Sequence, residues 1–255
     1  MIRAQNVTRR FGDSLAVHSV TFSIGPGEIV GLLGANGAGK TTLLRMLATY
    51  LPPDEGRLLV CGHDAAREPY WVLRKIGYLS EHNALFDSMR VDDFLDFIAR
   101  VRGLEGTLSA GRRAFVLDRC GLADVLAKRV RECSKGFRQR IGLAAAILHD
   151  PPVLLLDEPT HGLDPLQVAA FRDLLRELRP GHAILLSSHV LAEVAAVATR
   201  MLVMHDARIV LDEPTKSLEV RAQAAGRSVE DLVLDAVRAG GAPEVQPALE
   251  EARAP

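Results

Sequence analysis

The segment GANGAGKT, residues 34–41, has the spacing G-x-x-x-x-G-K-[ST] that is typical of loops that bind nucleotide phosphates. The apolar run IVGLLG before it predicts a buried strand, and KTTLLRMLATYL after it predicts a helix that ends at Pro52 and Pro53. A glycine-rich turn that matches by chance is the alternative, but such a turn needs neither this strand nor this helix. The segment therefore predicts a phosphate site at the edge of an α/β sheet.

Each residue type in this loop has a physical task beside a phosphate. Glycines let successive backbone amides wrap a β-phosphate, the Lys40 ammonium neutralises β- and γ-oxygens, and the Thr41 hydroxyl offers a ligand to Mg²⁺. The predicted phosphate-binding residues are those of the loop and of the first helical turn: Gly34, Ala35, Asn36, Gly37, Ala38, Gly39, Lys40, Thr41 and Thr42.

A second apolar strand, in the segment VLLLDEP at residues 153–159, ends in two carboxylates. It places Asp157 at the carboxyl edge of a sheet, where ligands bind in open α/β folds. Asp157 is therefore predicted to hold Mg²⁺, and Glu158 to orient or deprotonate an attacking water. The alternative, that the pair only caps the next helix, loses weight because the phosphate loop lies upstream.

A third strand, AILLSS, ends at His189. Packing or capping is the usual task of a lone histidine after a strand. Because the three strand ends belong to one sheet edge, we instead predict that His189 contacts a γ-phosphate.

The segment CSKGFRQRIGLA, residues 133–144, predicts a second helix start suited to an anion. Ser134 is a good N-cap, and Gly136 permits close approach of the backbone to a ligand. Arg138 and Arg140 add positive charge, although surface or structural ion pairs are their expected role. One chain thus carries two phosphate-seeking helix starts about a hundred residues apart.

These motifs, in this order, resemble the ATP-binding subunit of ABC transporters over roughly residues 2–215. The resemblance implies an α/β fold, with a RecA-like P-loop NTPase core, an antiparallel β layer and an inserted helical subdomain. The matching segments are the Walker A loop at Gly34–Thr41, Walker B at Val153–Asp157 with Glu158, the D-loop at Leu163-Asp164, the switch histidine His189 and the signature at CSKGFRQR.

The resemblance also implies a mechanism that explains the two helix starts. The signature helix of one subunit, through Ser134 and Gly136, caps the ATP bound to the Walker A loop of a second copy, so that a head-to-tail dimer holds two ATP molecules. Glu158 and His189 are the implied catalytic residues, and ATP and Mg²⁺ the implied cofactors. The implied partner is a separate transmembrane permease that contacts the surface near Glu81, which places the chain on the cytoplasmic face of the cell membrane.

The sequence departs from the family pattern at three places. Lys135 and Phe137 replace the first glycine and the glutamine of the signature Leu-Ser-Gly-Gly-Gln, and Lys135 adds attraction to phosphate. Glu81 stands where the family has glutamine, and its carboxylate can still ligate Mg²⁺. Phe11 stands where a tyrosine usually stacks on adenine, and its phenyl ring keeps the stacking face. The segments around Glu81 and Ser134 most resemble bacterial exporter ATPases of the multidrug and gliding-motility type.

Strand and helix patterns divide the chain into an ATP-binding core, a helical subdomain and a C-terminal part. Residues 1–81 and 152–215 are predicted to form the ATP-binding core with its β layer, residues 82–151 the helical subdomain, and residues 216–255 a C-terminal helix with a disordered tail from Gly240. Ser228 and Asp231 predict a capping box at the start of that helix. We expect Phe94, Phe97 and Val101 to form the core of the helical segment, and Tyr70 and Trp71 to be buried.

The composition of the chain limits its possible partners, metal sites and cellular compartment. A net charge of −1 gives no electrostatic reason to expect nucleic acid as a partner, and the histidines share no ligand spacing, so we expect no histidine metal cluster. The three cysteines favour a reducing compartment, and the sequence contains neither a secretory h-region nor an apolar run long enough to span a membrane. Two rivals remain: a soluble ABC ATPase acting on DNA or ribosomes, and a regulatory binder that does not hydrolyse ATP.

Overall fold

The computed structural model describes residues 1–240 of the chain. The tail that the sequence predicts to be disordered therefore lies, apart from Gly240, outside the described residues. Within residues 1–240, ten strands form two sheets. The strands are β1 (Ile2–Phe11), β2 (Ser14–Ile24), β3 (Ile29–Leu33), β4 (Glu55–Val60), β5 (His63–Asp64), β6 (Ile76–Leu79), β7 (Val153–Asp157), β8 (Ala183–Ser188), β9 (Arg200–His205) and β10 (Arg208–Pro214).

Helices surround the sheets and dominate the middle of the chain. Those of the described residues are α1 (Lys40–Leu47), α2 (Pro69–Leu73), α3 (Val91–Val101), α4 (Gly106–Arg119), α5 (Lys135–Ile147), α6 (Pro165–Leu178), α7 (Leu191–Ala195), α8 (Thr215–Ala224) and α9 (Val229–Ala239). None of them is long and apolar enough to cross a bilayer.

The larger sheet brings the predicted motifs to one edge. Its strand order is β10-β9-β3-β8-β7-β6, in which β6, β7, β8, β3 and β9 run parallel and β10 is antiparallel. Leu33 of β3 pairs with Ser188 of β8, and Asp157 of β7 pairs with Ser187. Because the carboxyl ends of parallel strands lie together, the segments that follow β3, β7 and β8 meet at this edge.

The smaller sheet is antiparallel, with strand order β2-β1-β4-β5. It is the predicted β layer, and the mixed fold with its two sheets confirms the predicted α/β class. Alternate residues of the central parallel strands pack on opposite faces of the larger sheet, since Val153 and Leu155 join one buried cluster and Leu154 and Leu156 the other. The strands read as unbroken apolar runs because both faces are covered.

Two expectations about side-chain burial are wrong. Phe94 is buried, but Phe97 is 38% and Val101 65% exposed, since the apolar face of α3 is narrower than the predicted stripe. Phe97 instead packs edge-on against Phe86, with ring centroids 5.5 Å apart. Tyr70 and Trp71 are also exposed, because the short helix α2 buries Val72 and turns the two aromatic rings outward.

One helix end and two additional elements differ from expectation. Helix α1 ends at Leu47, before the prolines, because the backbone of Thr49 adopts a left-handed φ of 65° and the Tyr50 amide bonds the Arg45 carbonyl. Strand β10 was not predicted, and it pairs antiparallel with β9. The segment after β10 forms α8 as well as the single helix predicted, which is α9 and begins with the expected capping box of Ser228 and Asp231.

Candidate functional site

The loop after β3 adopts a backbone that requires glycine at two positions. Gly39 has a φ of 107°, and a side chain there would collide with the carbonyl oxygen of Ala16 on β2. A Cβ on Gly34 would lie 2.5 Å from the carbonyl oxygen of Met204 on β9. The loop is thus held between β2 and β9, and it delivers Lys40 as the first residue of α1.

Lys40 is buried at the centre of this edge. Its Nζ donates hydrogen bonds to the carbonyl oxygens of Gly34, at 2.7 Å, and of Ala35, at 3.2 Å. Burial lowers the pKa of the ammonium, and the carboxylates of Glu158, Asp157 and Glu81 oppose that effect. Nζ lies 4.0 Å from Glu158 Oε1, so the ammonium faces the predicted water-activating carboxylate.

Asp157 ends β7 with no exposed surface. Its Oδ1 accepts hydrogen bonds from Ser187 Oγ at 2.6 Å and from Thr41 Oγ at 3.3 Å. Burial raises the pKa of the carboxyl, while these two hydroxyls act to lower it. Within residues 1–240, nothing hydrogen-bonds the buried Oδ2. A carboxylate with one buried, unsatisfied oxygen is suited to a cation.

Glu158 turns sharply out of β7. Its φ of 47° lies in the left-handed region that non-glycine residues rarely adopt, and such strain is concentrated at functional sites. The Glu158 amide donates to Ser187 Oγ at 3.1 Å, which holds this conformation. Its Oε2 lies 3.0 Å from His189 Nδ1, so the two predicted catalytic side chains are paired.

These side chains line one cavity of about 360 Å³ at the sheet edge. Its walls include loop and helix residues, the carboxylates Glu81 and Glu158, and two histidines. The lining residues are Ala16, Asn36, Gly37, Gly39, Lys40, Thr41, Thr42, Glu81, Glu158, His161 and His189. The cavity therefore brings together predicted phosphate-binding residues and the predicted residues Glu158 and His189. Asp157 is not a lining residue, but it bonds the lining residue Thr41.

Six of the predicted binding residues are not part of this cavity lining: Phe11, Gly34, Ala35, Ala38, Ser134 and Gly136. Phe11 lies at the end of β1 with its ring 48% exposed. Ser134 and Gly136 lie at the start of α5, where Ser134 Oγ caps the helix by accepting from the Phe137 amide at 3.4 Å. The structure thus gathers Lys40, Glu158 and His189 in one cavity and leaves Ser134 and Gly136 outside its lining.

The two signature substitutions have defined contacts in the same chain. Lys135 Nζ lies 2.9 Å from His161 Nε2, so its ammonium bonds the loop that follows Glu158. Phe137 is covered by the guanidinium of Arg140, 4.1 Å from the ring centroid. Arg140 also donates to the Cys120 and Gly121 carbonyls, and Arg138 pairs with Asp87 at 2.6 Å, which confirms structural roles for both arginines.

Two contacts of the site were not predicted from the sequence. Ser187 bonds both Asp157 and the Glu158 amide, but it lies within an apolar strand where a serine carries no motif. Gln139 of α5 is buried and donates to the Glu158 and Pro159 carbonyls, which ties the signature helix to the turn after β7. A glutamine at a helix position that faces the core was the available signal.

Comparison with known proteins agrees with this geometry. The family described as "ABC transporter" matches residues 17–161. The chain is 38% identical to the daunorubicin resistance ATP-binding protein DrrA3 of Streptomyces coeruleorubidus, covering 96% of this chain and 78% of that one. It is also 38% identical to the ABC transporter ATP-binding protein NatA of Bacillus subtilis, covering 86% of this chain and 91% of that one. Among solved structures, the ATP-binding subunit of an ABC transporter superposes with a TM-score of 0.86 at 26% identity, covering 92% of this chain and 99% of that one.

Proposed function

This chain belongs to the ABC transporter family as an ATP-hydrolysing subunit, and we propose that two copies of it drive export through a separate transmembrane permease. The observation that carries the proposal is the single cavity in which Lys40, Glu158 and His189 converge.

We propose that the loop of residues 34–41 and the start of α1 bind the ATP phosphates. Asn36, Gly37, Gly39 and Lys40 line the cavity together. Because Lys40 is buried, its charge is little screened by water, and its attraction to β- and γ-oxygens is correspondingly strong. The Lys40 bonds to the Gly34 and Ala35 carbonyls show the loop holding the ammonium in place.

We propose that Thr41, Asp157 and Glu81 hold the Mg²⁺ that accompanies ATP. All three present oxygen ligands, which Mg²⁺ prefers, and Asp157 Oδ2 is buried without a partner in the described chain. When bound, the ion neutralises charge on the phosphate oxygens. The carboxylate of Glu81 serves here as well as the amide oxygen of the family's glutamine.

We propose that Glu158 is the general base. An ionised carboxylate only accepts hydrogen bonds, so His189 Nδ1–H donates to Glu158 Oε2 over 3.0 Å and fixes its orientation. Glu158 then accepts the proton of the attacking water, while Lys40 and His189 contact the γ-phosphate. The left-handed turn at Glu158 aims its side chain into the cavity rather than along the sheet.

We propose that the signature segment serves a second copy. Ser134 and Gly136 are outside the cavity lining of their own chain, yet they form a capped helix start suited to phosphate. In a head-to-tail dimer each would close the cavity of the other subunit over ATP. The proposed division is then a core of residues 1–81 and 152–215, a helical subdomain of residues 82–151 with the signature, and a C-terminal part of residues 216–255.

Replacement of the general base tests the catalytic assignment. Glu158→Gln removes the proton acceptor but keeps the side chain's size, so ATP affinity should be kept while hydrolysis falls by at least about 10²-fold. Phosphate release and nucleotide titration measure the two quantities. If Glu158→Gln hydrolyses ATP near the wild-type rate, the general base is another residue. If the wild type and the variant both lack ATPase activity, the result favours the regulatory binder that does not hydrolyse ATP.

Complementation tests the dimer. Lys40→Ala damages the cavity, and Ser134→Arg places a bulky side chain at the helix start, so either homodimer has two damaged sites. A heterodimer with one of each, isolated through two affinity tags, has one site with both defects and one intact site. It should recover part of the ATPase activity. A Ser134→Arg homodimer with normal ATPase and normal ATP-driven dimerisation would contradict the assignment.

Export at the cytoplasmic face of the membrane rests on resemblance and on one relative's name, which describes daunorubicin resistance. Affinity purification of the tagged chain from detergent-solubilised membranes tests it. We expect a co-purifying protein with about six apolar segments of ~20 residues, and drug or ion efflux that Glu158→Gln abolishes. Recovery of ribosomes or DNA instead would favour the soluble rival.

A further inference from the structure

Phe11 is connected to the phosphate loop through the hairpin of β1 and β2. Phe11 pairs with Ser14 where β1 turns into β2. Two residues further on, Ala16 lines the cavity, and its carbonyl oxygen lies against Gly39. The half-exposed ring therefore belongs to the strand pair that forms one wall of the phosphate cavity.

One face of this ring is covered by a guanidinium from its own strand. Arg9 precedes Phe11 by two residues on β1, and the two side chains meet. The Arg9 guanidinium carbon lies 5.1 Å from the ring centroid, within the range of cation–π attraction. The ring thus has a cation over one face, and Phe11 as a whole remains 48% exposed.

The guanidinium is itself fixed by Asp54. Arg9 Nη1 donates to Asp54 Oδ1 at 2.7 Å and to the Pro52 carbonyl at 3.1 Å. Asp54 Oδ2 accepts from the Arg10 amide at 2.7 Å, so one carboxylate holds the side chain of Arg9 and the backbone next to it. The Arg9 side chain is only 19% exposed, which limits screening of the pair by water. This arrangement restricts the ring before any ligand binds.

We propose that Arg9 and Asp54 are positioning residues that hold Phe11 as a stacking platform for the base of ATP. The inference rests on the proposed function as an ATP hydrolase and on the adenine stacking of Phe11 that the family resemblance implies. A ring that is already fixed loses little conformational freedom when a base stacks on it, and a cation on its far face strengthens the stack. Base recognition in this chain therefore depends on an ion pair that does not touch the nucleotide.

Two possible roles of Arg9, attraction of phosphate and support of the Phe11 ring, predict different binding of ligands with and without a base. An arginine that attracts phosphate would strengthen binding of any triphosphate. An arginine that acts through the ring would strengthen binding only when a base is present, and only when the ring is present.

The test uses the full chain, with MgATP and base-free magnesium tripolyphosphate as the two probes. Arg9→Ala should weaken ATP affinity by about three- to tenfold, the scale of an exposed cation–π contact and an ordered side chain, and leave tripolyphosphate affinity unchanged. KM for ATP should rise with kcat near the wild-type value. Arg9→Lys, which keeps a cation near both the ring and Asp54, should restore part of the affinity.

A double-mutant cycle assigns the effect to the ring. In a Phe11→Ala background, Arg9→Ala should cause no further loss of ATP affinity. Arg57→Ala is the matched control, since Arg57 pairs with Asp64 at 3.2 Å in the same sheet without covering a ring, and it should bind both probes normally. If Arg9→Ala folds poorly, Asp54→Asn is the second variant: it weakens the hold on the Arg9 guanidinium and should reduce ATP affinity to a smaller extent.

Three results would overturn the proposal: equal weakening of both probes, an additive loss in the Phe11→Ala background, or unchanged ATP affinity in both the Arg9 and Asp54 variants. Failure of the wild-type chain to bind either probe would instead refute the proposed function. Loss of tripolyphosphate binding in Lys40→Ala confirms that the probe reports on the phosphate cavity.

Discussion

Removal of the Ser187 hydroxyl should weaken both the fold and the catalytic site. Ser187 has no exposed surface, and its Oγ donates to Asp157 at 2.6 Å while it accepts from the Glu158 amide at 3.1 Å. In Ser187→Ala both groups stay buried and lose that partner. A hydrogen bond to a charged group contributes about 1.5–3 kcal/mol and one to a neutral amide about 1 kcal/mol, so the expected loss is on the order of 3 kcal/mol.

Urea unfolding and ATPase measurements check this value. The urea midpoint should fall with an unchanged m-value, and at about 2–4 °C per kcal/mol for a chain of this size the melting temperature should drop by about 6–12 °C. Below that temperature, ATP turnover should fall by about 10–100-fold, the usual effect of losing a group that orients a metal ligand.

Thr215→Val is the matched control. Thr215 is buried, and its hydroxyl donates to the Ala198 carbonyl at 2.7 Å, on a segment that contributes nothing to the lining of the cavity. It should lose stability and keep full ATPase activity. A Ser187→Ala variant that unfolds within 1 kcal/mol of wild type, or that keeps normal turnover, would refute the reasoning for stability or for catalysis respectively.

Three further perturbations have defined outcomes. Burial lowers the pKa of His149 to about 4. The stability that the neutral ring contributes is therefore present above its ordinary pKa of 6.5 and is lost as the pH falls towards 4. The urea midpoint should be lower at pH 5 than at pH 7, and this difference should be smaller in His149→Gln. Glu81→Gln should keep substantial ATPase activity, whereas Glu81→Ala should raise the Mg²⁺ concentration needed for half-maximal rate; identical Mg²⁺ curves for wild type and the alanine variant would exclude the ligand role. Lys40→Ala should fold normally, as judged by circular dichroism, and lose ATP binding in a nucleotide titration.

The place of the loop residues at the edge of the larger sheet could be predicted from the sequence because these residues are adjacent along the chain. The spacing between Gly34 and Thr41 specifies a strand, a turn and a helix within one segment, and the two other strand ends follow from apolar runs. Ser187 and Gln139 could not be assigned in this way, since their partners lie 19 to 30 residues away and are set by strand pairing and helix packing.

Side-chain exposure was the weakest part of the prediction. The aromatic residues Tyr70 and Trp71 favour burial by type, but a helix of five residues buries only one side chain, Val72, and leaves the rest outside. The end of α1 was missed for a similar reason. Two prolines are strong stop signals, yet the backbone had already reversed at Thr49, a residue with no preference for the left-handed conformation.

The central strands of the larger sheet contribute alternate side chains to two separate apolar clusters. Ile184 and Leu186 of β8 belong to the cluster that includes the helical segment, and Ala183 and Leu185 belong to the cluster under the antiparallel sheet. Neither cluster can melt without exposing the backbone of the strands that the other needs. We therefore expect one cooperative thermal transition, with the amide protons of β3, β7 and β8 exchanging with solvent only through global unfolding.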